Sequence, residues 1–319
     1  MPIPELKSVP VLVTGGAGFI GSHLVDALVE RGAKVRVLDN FFTGRRENLE
    51  QSIGRIDLVE GDIRELDACR QACDGVQFIF HEAALGSVPR SMKDPATTIA
   101  INVGGTANVF TAARDAGVRR VVYASSSSVY GDSDVLPKRE GQEGRPLSPY
   151  ALSKAVDEQL AATFVRCYGM EVVGLRYFNV FGPRQDPSGP YAAVIPKWLS
   201  ALASDQAPIV FGDGEQSRDF TYVTDAVRAN LLAAGASAAV SGRVYNIAGG
   251  ERTTLLRLAH LLGEVTGKSG KPVHEPLRQG DIPHSFADLT LATEHLEYAP
   301  MFSLANGLKE CLATRPGRV

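Results

Sequence analysis

The sequence predicts an α/β fold: a doubly wound parallel sheet with a smaller, interleaved C-terminal α/β lobe. Two observations lead to this prediction. In the first half of the chain, short runs of β-branched residues alternate with longer segments of helical periodicity, the order that produces parallel strands covered by helices on both faces. After about residue 180, glycine and proline become frequent and the alternation stops. We therefore expect one domain over residues 1–180 and a second lobe over 181–319.

Five strands are predicted at short apolar runs: Val11–Val13, Val35–Leu38, Ile56–Glu60, Phe78–Phe80 and Val121–Ala124. Helices are predicted where apolar residues recur every three or four positions: Gly21–Arg31, Leu66–Ala72, Thr98–Ala116 and Ala151–Tyr168. The run Val172–Tyr177 is compatible with a further strand of the same sheet. Three later segments are interpreted as parts of the smaller lobe: Ile209–Gly214, Val244–Ile247 and Leu255–Gly263.

Composition excludes several classes of protein. The chain has 319 residues, 44% of them hydrophobic and 22% charged, and a formal net charge of −3. These values are typical of globular domains and exclude a disordered chain. The slight acidity gives no basic footprint for nucleic acid, and no apolar run is long enough for a membrane span. Four cysteines lack disulfide or zinc spacing, and the first ten residues lack an uninterrupted apolar region. We therefore expect a cytoplasmic protein without a metal site.

A glycine-rich turn follows the first predicted strand. Residues 11–21 read VLVTGGAGFIG and place Gly15, Gly18 and Gly21 between a strand and a helix. Glycine allows a tight turn, and the N–H groups at the start of a helix can bind a pyrophosphate. Asp39 ends the next strand, where a carboxylate can accept the ribose hydroxyls of a dinucleotide and repel a 2′-phosphate. The arrangement predicts a Rossmann-type site that prefers NAD to NADP, although the nearby cations Arg45 and Arg46 slightly weaken that preference.

Further polar and small residues stand at the ends of the third and fourth predicted strands, on the same edge of the sheet. Asp62 can meet the adenine amino group, with a turn-capping role as the alternative. Ala83 and Ala84 are small enough to let the backbone approach a cofactor. His81 precedes them and is interpreted as structural rather than catalytic.

Tyr150 and Lys154 lie four residues apart on a predicted helix and therefore share one face. A free phenol ionises near pH 10, and a neighbouring ammonium or nicotinamide cation favours its ionised form. This spacing is common on ordinary helices. It gains weight from the run Ser125–Ser128 at the end of the fifth strand, whose hydroxyls can bind a substrate oxygen while the phenolate takes its proton.

Taken together, these motifs resemble the extended short-chain dehydrogenase/reductase family, and within it the nucleotide-sugar 4-epimerases. The matching segments cover almost the whole chain: the 15–21 turn, Asp39-Asn40-Phe41, Gly61-Asp62-Ile63, the serine run, the Tyr150–Lys154 pair, 176–184 (RYFNVFGPR), 217–220 (SRDF) and 278–281 (RQGD).

The resemblance implies NAD as cofactor, Tyr150 as the base, Lys154 as the residue that holds the nicotinamide ribose, and Ser126 or Ser127 as the catalytic serine. The cofactor contacts it implies are Gly15, Gly18, Phe19, Ile20, Gly21, Asp39, Asn40, Asp62, Ile63, Ala83, Ala84, Asn102, Ser125, Tyr150, Lys154 and Tyr177. The substrate contacts it implies are Ser87, Ser126, Ser127, Asn179, Val194, Ile195, Arg218, Arg278, Asp281 and Ser285. It also implies a homodimer formed through the helices predicted at Thr98–Ala116 and Ala151–Tyr168.

Three reactions occur on this scaffold: 4-epimerisation, dehydration and decarboxylation. Dehydratases of the family carry an acidic pair where this chain has Ser127-Ser128, which argues against water elimination. Residues 85–91 (LGSVPRS) resemble the branch of epimerases that prefers N-acetylated hexosamines. Ser285 stands where epimerases that reject such sugars have a bulky Tyr.

We therefore predict interconversion of UDP-N-acetylglucosamine (UDP-GlcNAc) and UDP-N-acetylgalactosamine (UDP-GalNAc), with UDP-glucose and UDP-galactose as a second pair. The alternatives are a UDP-glucuronate 4-epimerase or decarboxylase, a nucleotide-sugar dehydratase and a catalytically silent NAD-binding regulator.

Overall fold

The computed structural model of the chain describes residues 3–187, 192–276 and 282–314. Its strands in chain order are β1 (Pro10–Thr14), β2 (Lys34–Asp39), β3 (Ile56–Glu60), β4 (Phe78–His81), β5 (Arg120–Ser126), β6 (Val172–Tyr177), β7 (Val180–Phe181), β8 (Ile209–Phe211), β9 (Ser217–Asp219), β10 (Thr221–Tyr222), β11 (Val244–Ile247), β12 (Arg252–Thr254) and β13 (Val273–Glu275). Its α-helices are α1 (Phe19–Glu30), α2 (Leu66–Cys73), α3 (Val88–Lys93), α4 (Pro95–Ile99), α5 (Gly105–Asp115), α6 (Pro149–Tyr168), α7 (Val194–Ala203), α8 (Val223–Gly235), α9 (Leu255–Thr266), α10 (Thr290–Leu296) and α11 (Leu304–Ala313).

The main sheet has seven strands in the order β11-β6-β5-β4-β1-β2-β3, and every neighbouring pair is parallel. The chain moves outward from β1 in one direction through β2 and β3 and in the other through β4, β5, β6 and β11. Such a reversal opens a crevice at the carboxyl ends of the central strands, where ligands bind. The predicted doubly wound fold is confirmed.

Both faces of this sheet are buried, which explains why its strands are continuously apolar. Along β1, Val11 and Val13 pack into one hydrophobic cluster and Leu12 into a second. Helices α1 and α8 cover the first face, while α2, α5 and α6 cover the second. The alternation continues along β4, where Phe80 joins the first cluster and Ile79 the second.

The interpretation of Val244–Ile247 as part of the smaller lobe is wrong. This segment is strand β11, which pairs with β6 at the edge of the main sheet. Tyr245 and Ile247 are fully buried in the first cluster, and α8 packs against β5 and β6. The chain therefore returns from the smaller lobe to complete the large sheet.

The helix predicted at Thr98–Ala116 is divided into α4, a π-helical segment at Ala100–Gly104, and α5. The wider turn precedes a close approach: a Cβ on Gly105 would lie 2.4 Å from Cδ1 of Ile63. Glycine therefore allows α5 to pack against the residue that follows β3. π-helical turns are frequent near functional sites, and this one lies beside the crevice.

The smaller lobe has its own core, formed by α7, α9 and α11 with several short strands. Phe181, Trp198, Leu258 and Leu308 are buried there. Helix α9 begins where the Thr254 hydroxyl accepts a hydrogen bond from the N–H of residue 257 and ends at a left-handed glycine. Across the described ranges, no helix combines the length and apolar character needed to cross a membrane.

Candidate active site

A cavity of about 700 Å³ lies at the carboxyl edge of the main sheet, between the sheet and the smaller lobe. Its size falls within the range of small-molecule sites. The walls come from the glycine turn, the ends of β2 to β6, the start of α6 and the smaller lobe. This is the crevice that the strand order predicts.

The glycine turn holds the first wall close to the end of β4. Gly15 adopts a φ of +68°, and a Cβ there would lie 2.7 Å from the Ala83 backbone. A Cβ on Gly21 would lie 2.2 Å from the Gly15 carbonyl oxygen. Helix α1 begins directly after Gly18, so its free N–H groups open onto the cavity at the end of its dipole that favours an anion.

Asp39 is buried at the end of β2, and two backbone groups orient its carboxylate. Oδ2 accepts a hydrogen bond from the N–H of Ala17 (2.9 Å) and Oδ1 accepts one from Phe41 (2.8 Å). Burial raises the pKa of Asp39, while these bonds oppose the rise. Arg45 and Arg46, the two cations nearby in sequence, are paired with other acids: Arg45 with Asp186 (2.7 Å) and Arg46 with Glu60 (2.5 Å).

Asn40 and Asp62 form a second polar pair on the same wall. The Asn40 amide donates to Asp62 at 2.8 Å, and the Arg64 guanidinium donates to both carboxylate oxygens at 3.0 and 2.7 Å. These bonds, those from Arg64 above all, lower the pKa of Asp62 to about 2. Asp62 is therefore an anion with part of its acceptor capacity already used.

Tyr150 and Lys154 open onto the cavity from the first turns of α6. The helix starts at Pro149, and the Ser148 hydroxyl caps it by accepting from the N–H of residue 151 (3.1 Å). The Lys154 ammonium donates to the carbonyl of Ala124 (2.9 Å) and pairs with Asp157 at 3.2 Å. Burial opposes the charge of Lys154, but the carboxylate of Asp157 keeps its pKa above the usual value.

The serine run ends β5, next to the start of α6. Ser126 Oγ accepts a hydrogen bond from the N–H of Ser128 (3.1 Å), which caps a 3₁₀ turn at Ser127–Tyr130. Ser125, Ser126 and Ser127 all line the cavity. The Ser125 hydroxyl donates to Glu158 at 2.6 Å, so it is held by α6.

A buried charge cluster behind the serine run fixes α6 against the sheet. Arg176 donates to both oxygens of Glu158 (2.8 and 2.7 Å) and to the Tyr130 hydroxyl (3.0 Å), and it also pairs with Glu143. Glu158 lies one turn beyond Lys154 on α6. The cluster therefore ties the helix that carries Tyr150 and Lys154 to the ends of β5 and β6.

The structure reveals two acidic residues near Tyr150 and Lys154 to which the sequence analysis gave no role. Asp157 lies fully buried beside Lys154, and burial raises its pKa to about 6 against the pull of that ammonium. Glu82 follows β4 and accepts a hydrogen bond from the Tyr177 hydroxyl (2.7 Å). The i,i+3 spacing of Lys154 and Asp157 was a usable signal, as was a carboxylate at a strand end.

Toward the smaller lobe, Asn179, Arg218, Ile282 and Ser285 line the cavity. Asn179 donates from its amide to the carbonyl of residue 219 (3.1 Å). The predicted contacts Arg278 and Asp281 lie outside the described residues.

Four predicted contacts do not themselves line the cavity. Asn102 is fully buried, and its amide binds the Leu85 backbone (2.8 Å) and Ser153 (2.9 Å). Ser87 caps α3 by accepting from the N–H of residue 90 (3.2 Å). Val194 and Ile195 pack in the first turn of α7 against the core of the smaller lobe. Their contacts in the structure are therefore with other protein groups, and their role toward a ligand stays a prediction.

His81 is a structural residue, as the sequence analysis interpreted it. Its Nδ1 lies 2.6 Å from the Thr14 hydroxyl and its Nε2 lies 3.0 Å from that of Thr106. Burial, and secondarily the Lys154 charge, lowers its pKa to about 3. The ring is therefore neutral and fully engaged.

The side of the cavity formed by the glycine turn and the strand ends is suited to a dinucleotide. The glycine-rich turn stands at the N-terminus of α1, and the oriented carboxylate of Asp39 lies at the end of β2. A phenol and an ammonium stand at the other end of the same cavity. The first two features match a pyrophosphate and an adenosine ribose.

Comparison with known proteins agrees with this geometry. Residues 11–248 match the NAD dependent epimerase/dehydratase family. The chain is similar to a putative UDP-glucose 4-epimerase of Methanocaldococcus jannaschii, at 38% identity over 94% of this chain and 96% of that protein. It is also similar to a UDP-N-acetyl-alpha-D-glucosaminuronate decarboxylase of Bacillus cytotoxicus, at 34% identity over 94% and 96%.

Among solved structures, it is similar to a UDP-N-acetylglucosamine 4-epimerase of Methanobrevibacter ruminantium in complex with UDP-N-acetylmuramic acid. The TM-score is 0.91 and the identity 38%, over 96% of this chain and 98% of that one. The predicted family resemblance and the NAD cofactor are confirmed.

Proposed function

Because the chain belongs to the NAD dependent epimerase/dehydratase family, we propose that it inverts C4 of a UDP-hexose, and that its main substrates are UDP-GlcNAc and UDP-GalNAc. One observation carries the reaction: Tyr150 and Lys154 open onto the same cavity as the glycine turn. NAD, when bound, supplies a reversible acceptor for the hydride of C4.

In the proposed reaction, Tyr150 takes the proton of the 4-hydroxyl, and Ser126 donates a hydrogen bond to the same oxygen. Lys154 holds its positive charge beside the phenolate and binds the nicotinamide ribose. The sugar becomes a 4-ketone, rotates within the cavity and regains hydrogen on its opposite face. Tyr150 then returns its proton, so the protein ends each cycle unchanged.

The two lobes have different proposed roles. Residues 1–180 bind NAD. Residues 181–319 bind the UDP-sugar through Arg218, Arg278 and Asp281, together with Asn179 at the boundary. An arginine guanidinium suits a diphosphate because its planar donors match two oxygens. Anchoring the diphosphate leaves the sugar free to rotate.

The choice of an N-acetylated sugar depends on the space near Ser285. This small residue lines the cavity, and so does its neighbour in sequence Ile282, so this part of the cavity offers apolar contact and a hydroxyl to a 2-acetamido group. A bulky ring at position 285 would fill that space. The Ser285→Tyr variant should therefore lose activity on UDP-GlcNAc and keep activity on UDP-glucose.

Decarboxylation is the main rival, since one relative is a decarboxylase of a UDP-sugar acid. Product analysis separates the reactions: epimerisation leaves mass unchanged, decarboxylation removes carbon dioxide and dehydration removes water. We would incubate the protein with UDP-GlcNAc, UDP-glucose and UDP-glucuronate and read C4 configuration by NMR and product mass. Inversion of UDP-GlcNAc, absent in a folded Tyr150→Phe variant that retains NAD, is expected. Conversion of UDP-glucuronate alone would refute the proposal.

We also propose a homodimer in which α5 and α6 pair with their counterparts. Leu152 and Tyr168 on α6 are about half exposed, at 48% and 51%, and so leave apolar surface on this helix for a partner. Light scattering on the protein and on Leu152→Glu tests this, with Val273→Glu on β13 as a control for an added charge. A monomeric parent protein would refute the proposal.

A further inference from the structure

Glu82 reaches the cavity from the end of β4, and the proposed reaction does not use it. Its carboxylate accepts a hydrogen bond from the Tyr177 hydroxyl (2.7 Å), which in turn accepts one from the Asn230 amide (2.6 Å). Glu82 lines the same cavity as Tyr150 and Lys154. Side chains from β6, α8 and α6 therefore surround one acidic group.

An anion at this position is unfavourable unless a positive charge compensates it. Burial raises the pKa of Glu82 to about 7, although the Tyr177 hydrogen bond and the Lys154 charge oppose the rise. Lys154 is already paired with Asp157 at 3.2 Å. A cation that enters the cavity with a ligand would complete the compensation.

We propose that Glu82 stabilises the positively charged, oxidised nicotinamide ring relative to the neutral, reduced ring. This rests on the proposed placement of the nicotinamide at the Tyr150 end of the cavity and not on the identity of the sugar. When a hydride, two electrons with one proton, leaves C4 and adds to the ring, the positive charge of the ring disappears. A fixed negative charge nearby therefore lowers the potential of the bound cofactor.

The consequence concerns the second half of the epimerisation. A lower potential makes the reduced cofactor a stronger hydride donor toward the 4-ketone, and the oxidised cofactor becomes the resting form. An alternative role for Glu82 is to anchor Tyr177 through the hydrogen bond alone. Charge and hydrogen bond can be separated by mutation.

The test measures the potential of NAD bound to the Tyr150→Phe protein, in which no phenol at position 150 can titrate. The holoprotein is equilibrated with a redox couple of known potential, and reduced cofactor is read at 340 nm. Adding Glu82→Gln should shift the ratio of reduced to oxidised cofactor about tenfold toward reduced, or about 30 mV for this two-electron couple. Glu264→Gln, at an exposed site on α9, should leave the ratio unchanged.

Tyr177→Phe supplies the second comparison. All proteins are measured at pH 9, about two units above the pKa of about 7 of Glu82, so that this variant loses the hydrogen bond and keeps the carboxylate charge. Its shift should be smaller than that of Glu82→Gln. A shift below threefold in Glu82→Gln would overturn the proposal, and so would equal shifts in the two variants.

The pH dependence keeps the proposal testable if Glu82→Gln does not fold. Three other groups face Glu82 or its neighbours: Tyr177, whose pKa burial raises far above 10, Lys154, whose pKa is also raised, and Asn230, which does not titrate. His81 lies on the other face of the sheet and is neutral.

Measured against free NAD at the same pH, the potential of the bound cofactor should therefore fall as pH rises through about 7, as Glu82 ionises. A constant difference would contradict the role of Glu82. If the protein epimerises UDP-GlcNAc but the potential shows no such pH dependence, only the proposed role of Glu82 is refuted. If the pH dependence is present but UDP-GlcNAc is not epimerised, only the sugar assignment is refuted.

Discussion

Replacement of Arg176 by Met tests whether the buried charge cluster holds helix α6 in place. The guanidinium is 3% exposed and binds Glu158 through two hydrogen bonds of 2.8 and 2.7 Å. Removing one partner of a buried ion pair costs about 3–5 kcal/mol, because the other charge stays buried without compensation. We expect the free energy of unfolding of Arg176→Met, measured by urea denaturation, to fall by about this amount.

Two further proteins give this measurement its controls. Arg70→Met removes an exposed cation that pairs with Asp67 at 3.3 Å, and its effect should stay within about 0.5 kcal/mol. The double variant Arg176→Met/Glu158→Leu should recover part of the loss, because both charges of the pair are then absent. A loss below about 1 kcal/mol in Arg176→Met would show that the cluster does not stabilise the fold as its geometry indicates.

Three other perturbations test the site itself. In Gly21→Ala the new Cβ lies 2.2 Å from the Gly15 carbonyl oxygen, so NAD affinity by calorimetry should fall about 10–100-fold; Gly54→Ala, whose Cβ meets open space, should not change it. Asp39→Asn should raise the ratio of NADP affinity to NAD affinity. The relative binding free energy should change by about 3 kcal/mol if the removed charge and the 2′-phosphate are ~5 Å apart, and an unchanged ratio would count against the ribose contact. Because burial raises the pKa of Glu82 to about 7, its contribution to stability is full below about pH 4.5 and is lost as pH rises through 7. In urea unfolding, the free energy of unfolding of the parent protein should therefore fall with pH by up to about 3 kcal/mol more than that of Glu82→Gln. Parallel pH profiles for the parent protein and the variant would contradict this.

The main sheet was predictable because its strands are buried on both faces, which leaves continuous apolar runs between helical segments. Strand β11 was assigned to the wrong lobe because its pairing partner is distant in the sequence. Its four residues include Asn246, whose amide binds the carbonyl of Lys138 at 3.0 Å, and a four-residue run does not indicate which sheet it joins. The partner, β6, lies about 70 residues earlier in the chain.

The candidate site was predictable where a short motif fixes its own geometry, as in the glycine turn and the Tyr150–Lys154 pair. Asn102, a predicted cofactor contact, shows what local spacing does not indicate. Its amide forms hydrogen bonds with Leu85 and Ser153. Glu82 shows the converse, since its partners Tyr177 and Asn230 come from distant elements. Contacts that join distant parts of the chain cannot be inferred from local spacing.

Because β11 and α8 come after the first passage through the smaller lobe, that lobe cannot be exchanged between homologues as one continuous segment. A chimera joined at residue 180 would take its outermost sheet strand and one covering helix from the donor, so both would have to fit a foreign β6. Substrate range in this architecture should therefore diversify through point changes along the crevice, such as those at position 285, more readily than through recombination.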